Sequence, residues 1–257
     1  FQPDWVWSKS RSLAHNSHAH DSSRGVEQRL AITNTDQEAS DGALKTFTSD
    51  GYTFDTAGAA NTNNATYVNW VWHCNAGTTT TNDASSTGVG TIDSVIQANT
   101  TAGFSIVTYT GSGANATVAH GLSSSLDVVL VKRRSAGTGY WTYWGTQFVN
   151  TSYIYLNTDD DTDTGGATIT NSTYPTDSVF SIGTSTFVNG SSETYVAYCF
   201  HEVDGYSKFG TYTGNGNADG AFVFTGFRPA YVMVKRTDAD NNWVINDTTR
   251  SPFNEIT

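Results

Sequence analysis

The chain has 257 residues, 37% of them hydrophobic, enough for one large domain or two to three small ones. A net charge of −11 and a pI near 4.7 exclude the basic face that a nucleic-acid partner requires, and disfavour adsorption to an anionic membrane surface. Charged residues are only 14%, so Thr, Ser, Asn and Gly carry the polar balance, and that mix resists helix while 13% aromatics suits half-buried strands.

The chain begins without Met, just ahead of a strand, and both ends are expected to be cut from something longer. Its opening strand, Phe1-Gln-Pro-Asp-Trp-Val-Trp-Ser-Lys9, returns as Leu126-Asp-Val-Val-Leu-Val-Lys132 and Phe227-Arg-Pro-Ala-Tyr-Val-Met-Val-Lys235. The three lysines align, at successive offsets of 123 and 103 residues. Asp21-Ser-Ser-Arg24 matches Asp247-Thr-Thr-Arg250 at offset 226, with Trp144-Gly-Thr-Gln147 standing in for it in the middle. Only Ser23 to Thr33 has helical spacing, for one short turn at most. Tyr52-Thr-Phe54 and Thr66-Tyr-Val-Asn-Trp-Val-Trp-His73 recur at offset 128 as Phe180-Ser-Ile182 and Thr194-Tyr-Val-Ala-Tyr-Cys-Phe-His201. A third block, Thr108-Tyr-Thr-Gly-Ser-Gly113, recurs as Thr211-Tyr-Thr-Gly-Asn-Gly216.

These repeats organise the chain. Residues 1–76 form a first module without its start, and 77–89 a Thr/Ser/Gly-rich linker. Residues 90–205 form a complete second module, and 206–257 a third without its end. Glu202-Val-Asp-Gly205 leaves almost no slack, so the second and third modules are expected to pack rigidly end to end. About 105–125 residues per unit suits a small β-sandwich. The expected fold class is therefore all-β, with tandem sandwich modules of jelly-roll or lectin-like type and incomplete outer copies. Val128, Leu130 and Lys132 fall on one face of their strand and Val129 and Val131 on the other, which predicts a strand covered on both faces. Cys74 and Cys199 are too few for a disulfide framework and read as buried small hydrophobes. The longest apolar runs, such as Val128 to Val131, are too short to span a bilayer.

The blocks Gly103 to Gly113, Glu193 to Phe200 and Ala221 to Arg236 resemble tandem modules in structural proteins of tailed bacteriophages, those of marine cyanobacterial phages most closely. The resemblance covers nearly the whole chain. It implies location in the virion, in a tail fibre or capsid appendage, with other virion subunits as partners. It carries no catalytic residues.

Four groups of residues are candidate sites. Asp21/Arg24 and Asp247/Arg250 are opposite charges in four-residue turns. An acid used in catalysis would not be expected in the first and third copies and absent from the second, so a structural turn is the favoured reading. His15, His18 and His20 form His-x-x-His-x-His. A trimer would gather six imidazoles from His18 and His20 around a transition metal, and the competing reading is a solvated strand face. Asp159 and Asp161, within Asp159-Asp-Asp-Thr-Asp163, offer hard oxygens to Ca²⁺ but lack the spacing of a calcium loop. Tyr140, Trp141, Tyr143 and Trp144 place four rings in five residues. An outward ring there would stack on a sugar, and the competing reading is core or subunit interface. No nucleophile elbow, phosphate-binding Lys loop or Cys/His zinc pairing is present. The expectation is a scaffold that is not an enzyme, holds no obligatory cofactor, forms a homo-oligomer and inserts into no membrane. The runner-up is a carbohydrate-binding or host-adhesion module.

Overall fold

The computed structural model describes residues 1–40, 43–56, 59–135 and 137–250. Residues 251–257, the tail of the expected third module, lie outside them. The fold is all-β and of sandwich type, as the composition predicts, with several antiparallel sheets and no closed barrel.

The first copy supplies β1 (Trp5–Ser10), β2 (His18–Asp21), β3 (Gln28–Ala31), β4 (Ala39–Ser40), β5 (Leu44–Thr48), β6 (Gly51–Phe54) and β7 (Tyr67–Trp72). Five of these make a sheet in the order β4-β3-β2-β1-β7, and β5 and β6 form a separate hairpin. The helical spacing at Ser23 to Thr33 yields no helix. Strand β3 occupies its end, because Leu30 and Ala31 are buried and β2 offers an open edge at His18 and Ala19.

The stretch read as a linker is built into the fold. Thr80–Asn82 form β8, the edge of the middle copy's sheet, and Ala84–Thr87 form a single helical turn, α1. Asp83 caps that turn by accepting from the Ser85 and Ser86 amides, and Gly88 ends it at φ +69°. A run of Thr is low in complexity yet high in strand propensity, so its composition did not decide between linker and edge.

The middle copy adds β9 (Ser94–Asn99), β10 (Phe104–Thr110), β11 (Ala116–Ala119), β12 (Val128–Arg133), β13 (Trp141–Gly145), β14 (Ile154–Tyr155), α2 (Ala167–Thr170), β15 (Val179–Ile182), α3 (Thr186–Asn189) and β16 (Thr194–Phe200). Its main sheet runs β14-β13-β12-β16-β10-β9-β8, while β11 and β15 pair as a second, small sheet. The third copy contributes one hairpin, β17 (Tyr231–Val234) and β18 (Val244–Asp247).

Strand β12 is central and covered twice. Val129 and Val131 enter a core shared with β11, β15, α2 and α3, and Leu130 enters a second core on the opposite face. That second core joins all three copies, gathering Trp5, Trp7, Leu30, Phe104, Trp141, Val196 and Tyr198, with Met233, Trp243 and Ile245 packed against them. Each large side chain buried there contributes on the order of 2–3 kcal/mol. The second and third copies therefore meet side by side over a common core, not end to end.

Candidate functional site

The residues that recur between copies act first at the hairpins. Lys9 Nζ donates to the His15 carbonyl at 2.6 Å and Lys235 Nζ to the Asn241 carbonyl at 2.5 Å. Lys132 Nζ does the same to the Gly139 carbonyl. The repeated lysine is thus a clamp on the loop after its own strand. Burial pushes the fully buried Lys132 down to about 8. The register adds a correction to the alignment. Trp5 faces Asp21, Tyr231 faces Asp247, and Val128 faces Gly145. The middle hairpin is one residue longer, so Gly145 and not Trp144 holds the place of the turn acid.

With that register, the contacts between copies repeat. Trp141 Nε1 of the second copy donates to the Ala31 carbonyl of the first at 2.8 Å. Trp243 Nε1 of the third donates to the Tyr155 carbonyl of the second at 2.9 Å. Ala31 faces His18 on β2 and Tyr155 faces Thr142 on β13, so the two acceptors are equivalent positions. The Gly139 amide reaches the Thr35 carbonyl at 3.0 Å, as the Asn241 amide reaches that of Asp159 at 2.7 Å. The Glu38 amide reaches the Arg134 carbonyl at 3.0 Å, as the Thr162 amide reaches that of Thr237 at 3.2 Å. The second copy therefore sits on the first as the third sits on the second.

The turn pairs close the set. Asp21 accepts from the Arg24 amide at 2.8 Å and from Arg24 Nε at 2.5 Å, and Arg24 Nη2 reaches the Ala19 carbonyl. Asp247 and Arg250 repeat this geometry, with Arg250 Nη2 on the Ile245 carbonyl at 2.8 Å. The second carboxylate oxygen of each acid then accepts from a neighbouring copy. Tyr198 of the second copy donates its hydroxyl to Asp21 at 2.6 Å. Trp70 of the first copy donates Nε1 to Asp247 at 3.2 Å. Tyr198 and Trp70 are themselves equivalent, 128 residues apart. Trp5 stacks on Tyr198 with centroids 4.4 Å apart, and its equivalent Tyr231 meets Trp70 at 5.7 Å. The tryptophan contact thus joins first to second and second to third copy, and the turn-acid contact joins first to second and third to first. The first two copies make both. There burial works against the Arg24 charge, but Asp21, Tyr198 and Glu38 outweigh it and raise its pKa. Glu38 also grips Arg134 of the second copy at 2.8 Å.

The other expected sites are placed differently. Trp141 and Trp144 are buried, the first in the core shared by the copies and the second in the core under β15. Tyr140 stacks on Tyr155 at 4.3 Å, and Tyr143 meets Trp243 of the third copy at 5.6 Å. The two tryptophans are therefore core, as in the competing reading, while Tyr140 and Tyr143 are half-buried. His18 and His20 are buried, and His18 Nε2 lies 2.7 Å from an Arg29 guanidinium nitrogen. Burial first, then Arg29, lowers His18 to about 4. Burial first, then Arg24, lowers His20 to about 3. A guanidinium beside an imidazole repels a metal cation, and among the described residues no group of three His, Cys, Asp or Glu is placed to hold one. The side chains of Asp159 and Asp161 are exposed, and the run meets the third copy through the Asp159 carbonyl, which also accepts from Lys235 Nζ at 2.9 Å.

One recurring acid escaped the motif reading. Asp4 is fully buried and accepts from the amides of Cys74, Ala76 and Gly77. Its equivalent Asp127 accepts from the Glu202 amide at 2.7 Å, and Cys74 and Glu202 are themselves equivalent. The acid therefore ties the end of the closing strand to the start of the opening one. Its signal was the aligned Asp five residues before the repeated lysine in the first two copies.

A family model described as "Domain of unknown function (DUF7483)" matches residues 1–257, and the chain belongs to that family. No curated protein and no solved structure matches it.

Proposed function

We propose that this member of the DUF7483 family is a virion structural protein, of tail-fibre or capsid-appendage type, that scaffolds and does not catalyse. The observation that carries this reading is the recurring seam. The ionisable residues that repeat from copy to copy, Asp4, Asp21, Arg24, Lys132 and their equivalents, are all engaged in hairpins and junctions between copies. A reacting group needs access to substrate, and Asp4, Asp21, Arg24 and Lys132 are buried. The resemblance of the blocks Gly103 to Gly113, Glu193 to Phe200 and Ala221 to Arg236 to phage virion modules gives the scaffold its setting. Other virion subunits are its partners. The burial of Trp141 and Trp144 leaves the host-glycan reading only the half-buried Tyr140 and Tyr143.

The test is direct. Mass spectrometry of purified particles from the source phage is expected to detect the chain at fixed copy number. Gold-labelled antibody against it is expected to decorate one substructure of the intact particle. Absence from washed particles overturns the proposal.

A further inference from the structure

The middle copy fills with aromatic rings a space that the first copy leaves open. In the middle copy Tyr140 stacks on Tyr155 at 4.3 Å and meets Phe187 edge-on at 5.1 Å, and Tyr153 meets Tyr155 at 5.3 Å. These four rings plug the space where β13, β14 and α3 meet. The hairpin register makes Asn16 the equivalent of Tyr140 and Ala31 that of Tyr155, so Arg29 stands in the place of Tyr153. Ala59 stands in the place of Phe187, 128 residues on. The local bonds agree with that offset. Asn61 Nδ2 donates to the Asp55 carbonyl at 2.9 Å, as Asn189 Nδ2 donates to that of Gly183 at 2.8 Å. All four rings are thus replaced in the first copy. An open pocket of about 590 Å³ takes their place, lined by His15, Asn16, His18, Arg29, Ala59 and Thr62. Every position compared lies in the interior of its own copy.

The pocket has charge of one sign. Arg29 Nη1 donates to His18 Nε2 at 2.7 Å. Burial first, then Arg29, keeps the His18 ring neutral at pH 7, so it accepts that bond and orients the guanidinium. Lys9 adds its charge nearby, with Nζ on the His15 carbonyl at 2.6 Å. The half-buried His15 has a ring nitrogen, Nδ1, that is shielded from water and has no hydrogen-bond partner among the described residues. No acidic side chain lines the pocket among the described residues, although the chain carries a net charge of −11. The arrangement that repels a metal cation attracts an anion, and a guanidinium fork matches the oxygens of a carboxylate or sulfate.

We propose that this pocket of the first copy binds an oxyanion, a carboxylate or sulfate, free or carried on an acidic sugar, with Arg29 as its counter-charge and His15 as a donor. The space of four rings exceeds what a bare ion needs, which favours an anion carried on a ring. The site lies apart from the aromatic cluster at Tyr140 to Trp144. It adds a ligand to the scaffold and rests on the repeat geometry, not on the virion reading.

The test follows the histidine ring resonances of the full chain by nuclear magnetic resonance, at constant ionic strength, during titration with D-glucuronate, D-glucose or sodium sulfate. Saturable shifts of the His15 and His18 signals are expected with glucuronate and none with glucose. Sulfate that binds at least as tightly as glucuronate assigns the free ion, and weaker sulfate binding assigns the acidic sugar. Arg29→Gln is expected to weaken binding by about tenfold or more. Ala59→Phe returns one ring of the plug, in the manner of Phe187. It is expected to abolish binding while leaving the far-ultraviolet spectrum and unfolding midpoint unchanged. No saturable shift with either anion, equal binding of glucose and glucuronate, or undiminished binding in either folded variant overturns the proposal.

Discussion

Asp21 and Arg24 have fully buried side chains, whereas their equivalents Asp247 and Arg250 are 7% and 28% exposed. The same pair therefore carries different weight in two places. Arg24→Ala leaves a buried carboxylate without its counter-charge and is expected to cost about 3–5 kcal/mol in urea unfolding. Arg250→Ala is expected to cost clearly less, since water can replace part of the lost interaction. The buried histidines set a second property at this scale. His18 and His120 are lowered to about 4 and His20 to about 3, each chiefly by burial, from an unfolded value of 6.5. Below that value the unfolded chain takes up protons that the folded chain refuses. Stability is thus full above about pH 6.5 and falls toward pH 4, by about 1.4 kcal/mol per unit for each histidine. Unfolding midpoints measured across that range are expected to fall, and His20→Gln is expected to lessen the slope by one proton.

Each hairpin depends on a short set of instructions. An alternating strand runs into a lysine that clamps the following loop, and a second strand returns from it. The middle hairpin carries one residue more, which moves Trp141 into the place that Trp243 holds in the third copy. That insertion concealed the seam from alignment by constant offset, although both tryptophans were visible. Trp141→Phe keeps most of the ring's burial but orphans the Ala31 carbonyl. A loss of about 1–3 kcal/mol is expected in denaturant unfolding. Trp243→Phe is expected to cost less, because the third hairpin is partly exposed. Short elements were harder to read than strands. Among the described residues α1, α2 and α3 have four residues each, too few for any periodicity, and two of them depend on local caps, Asp83 and Ser185.

At the level of the molecule, the three copies cannot be independent beads. Six of the seven tryptophans belong to or pack against the core they share: Trp5, Trp7, Trp70, Trp72, Trp141 and Trp243. Thermal unfolding is therefore expected to be a single transition, with tryptophan fluorescence and far-ultraviolet circular dichroism coincident. Separate transitions would show that the copies hold separate cores.

The sequence by itself determined the all-β class, the repeat and the identity of its recurring residues, because strand alternation and turn chemistry are local and survive divergence between copies. The tertiary structure alone decided that the copies surround one core, that 77–89 is an edge strand and capped turn, and that the aromatic cluster faces inward. Those outcomes depend on which faces meet and in which register. A buried tryptophan and an exposed one have the same neighbours in sequence, and only the packing of the other copies distinguishes them.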